Sequence, residues 1–168
     1  MRYTPAAVAL SLLVAVTAST SYSAPSQPVD PRVSALVAQG STELAAGKID
    51  EAIDYYEAAL AVQPGNIAVL LGLADATRKQ GMQGKALHYY RQALNADPQN
   101  LMAISGEGAA LAEKGAVDKA KRNLTRLEGL CGAECPATRE LAAAIAKGPA
   151  PKVVTADAVK PTPEVTAN

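Results

Sequence analysis

Residues 51–64, EAIDYYEAALAVQP, and residues 85–98, KALHYYRQALNADP, are near copies of each other set 34 residues apart. Ala52, Tyr55, Tyr56, Ala59 and Pro64 in the first recur as Ala86, Tyr89, Tyr90, Ala93 and Pro98 in the second. Self-similarity at a fixed period of this size marks a solenoid, in which one helical pair cannot bury its apolar face alone and must stack on its neighbours. Function is therefore expected on a surface of the stack and not in a catalytic cleft.

Working outward, the period divides the chain into three units, 33–66, 67–100 and 101–134, each reading as helix, short turn, helix. The turns fall at Gly47, Gly81 and Gly115, where glycine makes a left-handed helix exit cheapest. Asp30 followed by Pro31 predicts the first helix start, with Asp as N-cap and Pro at the first helical position. Pro64 and Pro98 each end a helix, and Asn66 and Asn100 cap the next. After the third unit, residues 137–147 (ATRELAAAIAK) repeat the first-helix pattern, with Leu141, Ala142 and Ile145 where Leu73, Ala74 and Thr77 stand. A seventh helix over 135–147 then covers the last pair, and Arg139, Glu140 and Lys147 give it a wettable outer side.

The flanks differ from this centre. Met1 and Arg2 precede an uncharged apolar run, residues 6–16 (AAVALSLLVAV), of a length that suits an export signal and falls short of a membrane span. A signal peptide over 1–23 is expected, cleaved after Ala18 or Ser23, with an uncleaved anchoring helix as the alternative reading. Residues 24–32 form a linker, and residues 148–168 (GPAPKVVTADAVKPTPEVTAN) read as a disordered, Pro-rich tail. The chain of 168 residues, 49% hydrophobic and 19% charged, has no Trp and no Phe, so its core must be thin and close-packed. Sixteen basic and sixteen acidic residues balance, which argues against nucleic acid or an anionic membrane as partner.

The units resemble tetratricopeptide repeats, position by position. The pattern falls on Leu36, Gly40, Ala52, Tyr56, Ala59 and Pro64, then on Leu70, Leu73, Ala74, Ala86, Tyr90, Ala93 and Pro98. The third unit keeps Ile104, Gly108, Leu111, Ala120 and Leu124, but has Leu127 where alanine is usual and Gly132 in place of proline. The resemblance implies an all-α fold, a right-handed α-solenoid of three repeats plus a C-terminal capping helix. It sets Gly40, Ala74 and Gly108 against Ala52, Ala86 and Ala120, with Tyr56, Tyr90 and Leu124 as knobs toward the next unit. Those ring positions argue against a stacking platform for bases or sugars, since the second Tyr of each pair is claimed by the core.

No phosphate-binding loop, metal-binding His-Glu helix or nucleophile elbow occurs, so no enzyme activity, cofactor or metal is expected. His88, the one histidine, reads as a surface or boundary residue. Cys131 and Cys135 are the two cysteines; in an exported protein they favour a structural disulfide, with a redox-active dithiol or half of a metal site as the sharper alternatives.

In the family, first helices line a concave groove that holds extended or helical peptides. That geometry implies a lining of Ser34, Val37, Ser41 and Leu44 from the first unit, Ala68, Leu71, Asp75, Arg78 and Lys79 from the second, and Met102, Ser105, Ala109 and Glu113 from the third. Members that clamp a C-terminal carboxylate use Lys and Asn at places held here by Val37 and Ser41, so that specificity is not carried over. Val37, Leu71 and Met102 suggest an apolar stripe, with Arg78 and Lys79 as a charge contact. The expected protein is a periplasmic, non-enzymatic interaction module, a scaffold or assembly factor binding a protein or peptide of the cell envelope. The alternative is a thiol-dependent redox or chaperone protein acting through Cys131 and Cys135.

Overall fold

The structure, a computed structural model, describes residues 28 and 30–149. The expected signal over 1–23, linker residues 24–27 and 29, and tail residues 150–168 lie outside the described residues. Within them the chain forms seven helices and no strand: α1 (Pro31–Ala45), α2 (Ile49–Val62), α3 (Ile67–Lys79), α4 (Gln83–Ala96), α5 (Leu101–Glu113), α6 (Val117–Cys131) and α7 (Pro136–Lys147).

Local chemistry sets these boundaries. The Asp30 carboxylate accepts from the Arg32 backbone N–H at 2.9 Å, with Pro31 in the first turn. The Asn66 side chain accepts from the N–H groups of Ala68 and Val69, and that of Asn100 from Ala103. Each cap satisfies a donor that the helix leaves without an internal partner. Inside each pair the turn is made by Gly47, Gly81 and Gly115, with φ of 78°, 85° and 87°, a conformation L side chains rarely adopt. Gly132 stands where the proline of the earlier units would fall, and its φ of 88° excludes proline, whose ring fixes φ near about −65°.

Each helix packs on its partner in the pair and on the first helix of the next pair, while α7 packs on both α5 and α6. The core runs along the stack and is built from small residues around a few large ones. Ala52, Ala86 and Ala120 are fully buried, and so are Leu73, Ile104, Leu127 and Leu141. Tyr56 and Tyr90 are each 3% exposed. They reach across to the following first helix: a Cβ added at Gly72 would overlap the Tyr56 ring, and one at Gly106 would overlap the Tyr90 ring. Gly40 is held small by the same Tyr56 ring, 2.9 Å from where its Cβ would stand. Gly108 is held small by Leu141 of α7, 2.6 Å away on the same measure. The alanines opposite these glycines are buried as expected, but it is the ring and the leucine that forbid a side chain there.

The third unit departs from this scheme. Leu124 takes the place of the tyrosines and packs with Leu127 and Leu141, and position 140, in register with Gly72 and Gly106, holds an exposed glutamate. A leucine is too short to need a glycine seat, so the next helix can carry a side chain there.

Candidate functional site

The first helices α1, α3 and α5, with the start of α7, enclose one concave cleft of about 790 Å³. Its course is oblique. α1 contributes its last turn, Ser41, Leu44 and Ala45; α3 contributes most of its length, Ala68 to Lys79; α5 contributes its first turns, Leu101 to Gly106; and α7 contributes Pro136, Ala137 and Glu140, with Cys135 beside them. A stack whose units rotate relative to one another presents a groove that climbs across the helices instead of following one register.

That obliquity decides which expected lining residues meet. Ser41, Leu44, Ala68, Leu71, Asp75, Arg78, Lys79, Met102 and Ser105 all face the cleft. Val37 does not: it is half-buried against Val33, Ala52 and Tyr56. Ala109 does not either, because α7 covers that turn of α5 and buries it among Ile104, Leu127 and Leu141. Ser34 lies off the cleft at the start of α1, and Glu113 sits behind it as an ion-pair partner. Ser105 is 3% exposed and its hydroxyl donates to the Ala137 carbonyl at 3.0 Å, tying α5 to α7.

Leu101, Gly72, Gly106, the edges of Tyr56 and Tyr90, and the α7 residues also line the cleft but were not foreseen as lining. The glycines were legible in principle, since each lies 16 residues after a core tyrosine in the repeated unit. Leu44, Leu71 and Leu101 make the floor apolar, and Met102, 69% exposed, stands on the wall.

Charge in the cleft is concentrated at Arg78. Its Nη1 donates to Glu113 Oε1 at 2.7 Å and its Nη2 to Asp75 Oδ1 at 2.9 Å. Lys79 Nζ lies 3.2 Å from the other oxygen of Asp75. Burial works against the Arg78 charge, but the fields of Tyr90, Glu113 and Asp75 outweigh it and hold its pKa above the ordinary value. Burial pushes the Tyr90 phenol up to about 12, partly offset by the nearby Arg78. Because Arg78 and Glu113 belong to successive first helices, the pair also clasps the second unit to the third.

Cys131, the last residue of α6, and Cys135, the residue before α7, are paired with Cα atoms 5.7 Å apart. Thr138 braces the same turn, donating to the Gly132 carbonyl at 2.9 Å. His88 is exposed and contacts Gln92 Nε2 at 2.6 Å, away from the cleft. Among the described residues no three His, Cys, Asp or Glu side chains are grouped to hold a metal ion, and no helix is long and apolar enough to cross a membrane.

Stacked helix pairs closed by a single helix, with a groove along the first helices, define a helical-repeat binding domain. Residues 32–99 match the model of the tetratricopeptide repeat family. Among solved structures the chain is similar to the Sgt2 TPR domain from Aspergillus fumigatus, at 27% identity and a TM-score of 0.63 over 76% of this chain and 91% of that one. It is also similar to the first TPR of Spaghetti (RPAP3) bound to the HSP90 peptide SRMEEVD, at 25% identity and a TM-score of 0.62 over 69% of this chain and 92% of that one. The Yersinia enterocolitica type III secretion chaperone SycD, solved with a peptide of the translocator YopD, shares the fold at 19% identity and a TM-score of 0.61, over 70% of this chain and 89% of that one. No curated protein matches the chain in sequence.

Proposed function

We propose that this chain is a non-enzymatic binding module of the cell envelope, a scaffold or assembly factor that holds an apolar peptide segment of a partner protein in the α1–α3–α5–α7 cleft. The observation that carries this reading is the cleft itself, a concavity of about 790 Å³ with an apolar floor and a methionine left 69% exposed on its wall. Methionine adapts its shape to varied apolar partners. The similar RPAP3 and SycD domains were solved with peptides, which agrees with such a use of the fold. Export to the periplasm rests on the apolar run at 6–16 after Arg2, and sequencing the N-terminus of the protein recovered from the envelope tests it: a start at Ser19 or Ala24 supports export, an intact Met1 opposes it.

Leu71→Glu combined with Met102→Glu should abolish partner capture; Met102 is exposed but Leu71 also packs against the core, so circular dichroism of the variant must show the helical fold retained before its binding is read. An unpaired carboxylate in a desolvated groove costs several kcal/mol, on the order of 2–7 for a buried polar group. If capture survives this change but is lost on deleting residues 148–168, the tail is the binding element and the solenoid only holds it.

The second reading is a thiol-dependent protein, favoured by one observation: Cys135 borders the cleft at the N-terminus of α7. We favour a structural disulfide that fixes α7 where the usual proline is absent. Thiol titration with graded reductant separates the two, since an easily cycled pair supports redox work and a bond resistant to reduction supports the structural role.

A further inference from the structure

Four charged side chains border the cleft, and they are not equivalent: Asp75, Arg78 and Lys79 are already engaged with one another, while Glu140 is not. Arg78 lies between Glu113 and Asp75 with its side chain only 19% exposed. Turning it toward a ligand carboxylate would strip one of those carboxylates of its partner, which removes what the new contact gains. Lys79 shares the Asp75 carboxylate that Arg78 also uses. Glu140 makes no ion pair or hydrogen bond among the described residues and is exposed at the α7 end of the cleft. It occupies the repeat place that Gly72 and Gly106 hold in the preceding units, so the stack carries a carboxylate here where two earlier units carry no side chain at all.

With Arg78 and Lys79 balanced by Asp75 and Glu113, the surplus charge is that of Glu140, negative and at the α7 end of an apolar trough. We infer that the segment bound in this cleft is apolar with a lysine or arginine placed to meet Glu140, and that acidic tails with a free terminal carboxylate are rejected. The inference rests on the cleft being the binding surface. It separates this chain from the similar RPAP3 domain, which was solved with the acidic peptide SRMEEVD. Such a charge contact selects partners more than it tightens them, since like charge across the same gap is penalised.

The test is selection of a random-peptide library displayed on phage against the full chain, with parallel selection against Leu71→Glu/Met102→Glu and Glu140→Lys. Sequences enriched on the native chain should combine apolar residues with Lys or Arg and be depleted in Asp and Glu. Synthesised as free peptides, they should lose roughly three- to tenfold in affinity on Glu140→Lys, with no change in the melting curve. Labelled SRMEEVD should bind the native chain no better than it binds Leu71→Glu/Met102→Glu. Enrichment of acidic sequences, or affinity untouched by Glu140→Lys, overturns the charge inference and leaves the cleft reading standing. Enrichment that does not distinguish the native chain from Leu71→Glu/Met102→Glu overturns the cleft reading, and the inference with it.

Discussion

Gly106→Ala and Gly129→Ala are the same chemical change on two helices, and they should have clearly different effects on stability. In an open helix interior the added methyl is worth about 0.8–1 kcal/mol in favour of folding, because alanine loses less backbone freedom than glycine. Gly129, in the last turn of α6, has nothing within 4 Å of an added Cβ, so a gain of up to this size should appear. At Gly106 the same Cβ would overlap two Tyr90 ring carbons and lie 2.6 Å from its hydroxyl oxygen, and the ring is 3% exposed. Overpacking of this kind costs about 1–3 kcal/mol, which leaves a net effect between roughly neutral and about 2 kcal/mol destabilising. The two variants should therefore differ by about 1–3 kcal/mol in urea unfolding followed by far-ultraviolet circular dichroism, at unchanged m-value. The third unit suggests the rescue, since it places Leu124 and Glu140 where Tyr90 and Gly106 stand. Tyr90→Leu should absorb the penalty of Gly106→Ala, giving a favourable coupling in a double-mutant cycle. If Gly106→Ala stabilises as much as Gly129→Ala, the ring-on-glycine contact does not set the spacing of the units.

The remaining predictions concern the core, the clasp and alkaline pH. Ala86→Leu should destabilise by about 1–3 kcal/mol and Ala61→Leu by much less, because Ala86 is fully buried between helices and Ala61 is exposed; equal melting shifts would mean the register is wrong. Arg78→Met should lower stability by about 1–3 kcal/mol by orphaning Glu113 and Asp75, and adding Glu113→Met should recover part of the loss; a neutral single variant would show that the clasp holds nothing. Tyr90 is raised by burial from 10.0 to about 12, so its contribution is whole below pH 10 and falls as pH rises toward 12, by at most about 1.4 kcal/mol per pH unit. Tyr90→Phe should flatten that alkaline loss measured by urea unfolding across the range, and an unchanged slope would refute the burial cause.

Much of this fold was legible because its physics is local and repeated. Pro64 and Pro98 mark the period, Asp30, Asn66 and Asn100 cap the helices expected of them, and Gly47, Gly81 and Gly115 turn with positive φ. The cleft was harder to read, since its lining depends on how each unit rotates on the one before. A single register for all first helices puts Val37 and Ala109 on the groove, whereas the oblique course puts one against the α2 core and the other under α7. The state of Arg78 was hidden for a related reason: its partner Glu113 lies 35 residues away, one unit on, and only stacking brings them to 2.7 Å. The tyrosines showed what fills the gaps, but the glycines that receive them, Gly72 and Gly106, are outside the family pattern and were passed over.

The most direct test of the cleft as binding surface uses the methionine methyl groups. Of Met1, Met82 and Met102, the last is on the cleft wall and 69% exposed, while Met82 is 40% exposed at the turn into α4. With isotope-labelled methionine and assignment by Met82→Leu and Met102→Leu, an NMR titration with a library-selected peptide reports both surfaces at once. The account predicts that the Met102 methyl shifts to saturation with the binding curve while Met82 stays in place. A Met102 signal that does not move while the peptide binds, or a shift confined to Met82, would contradict it.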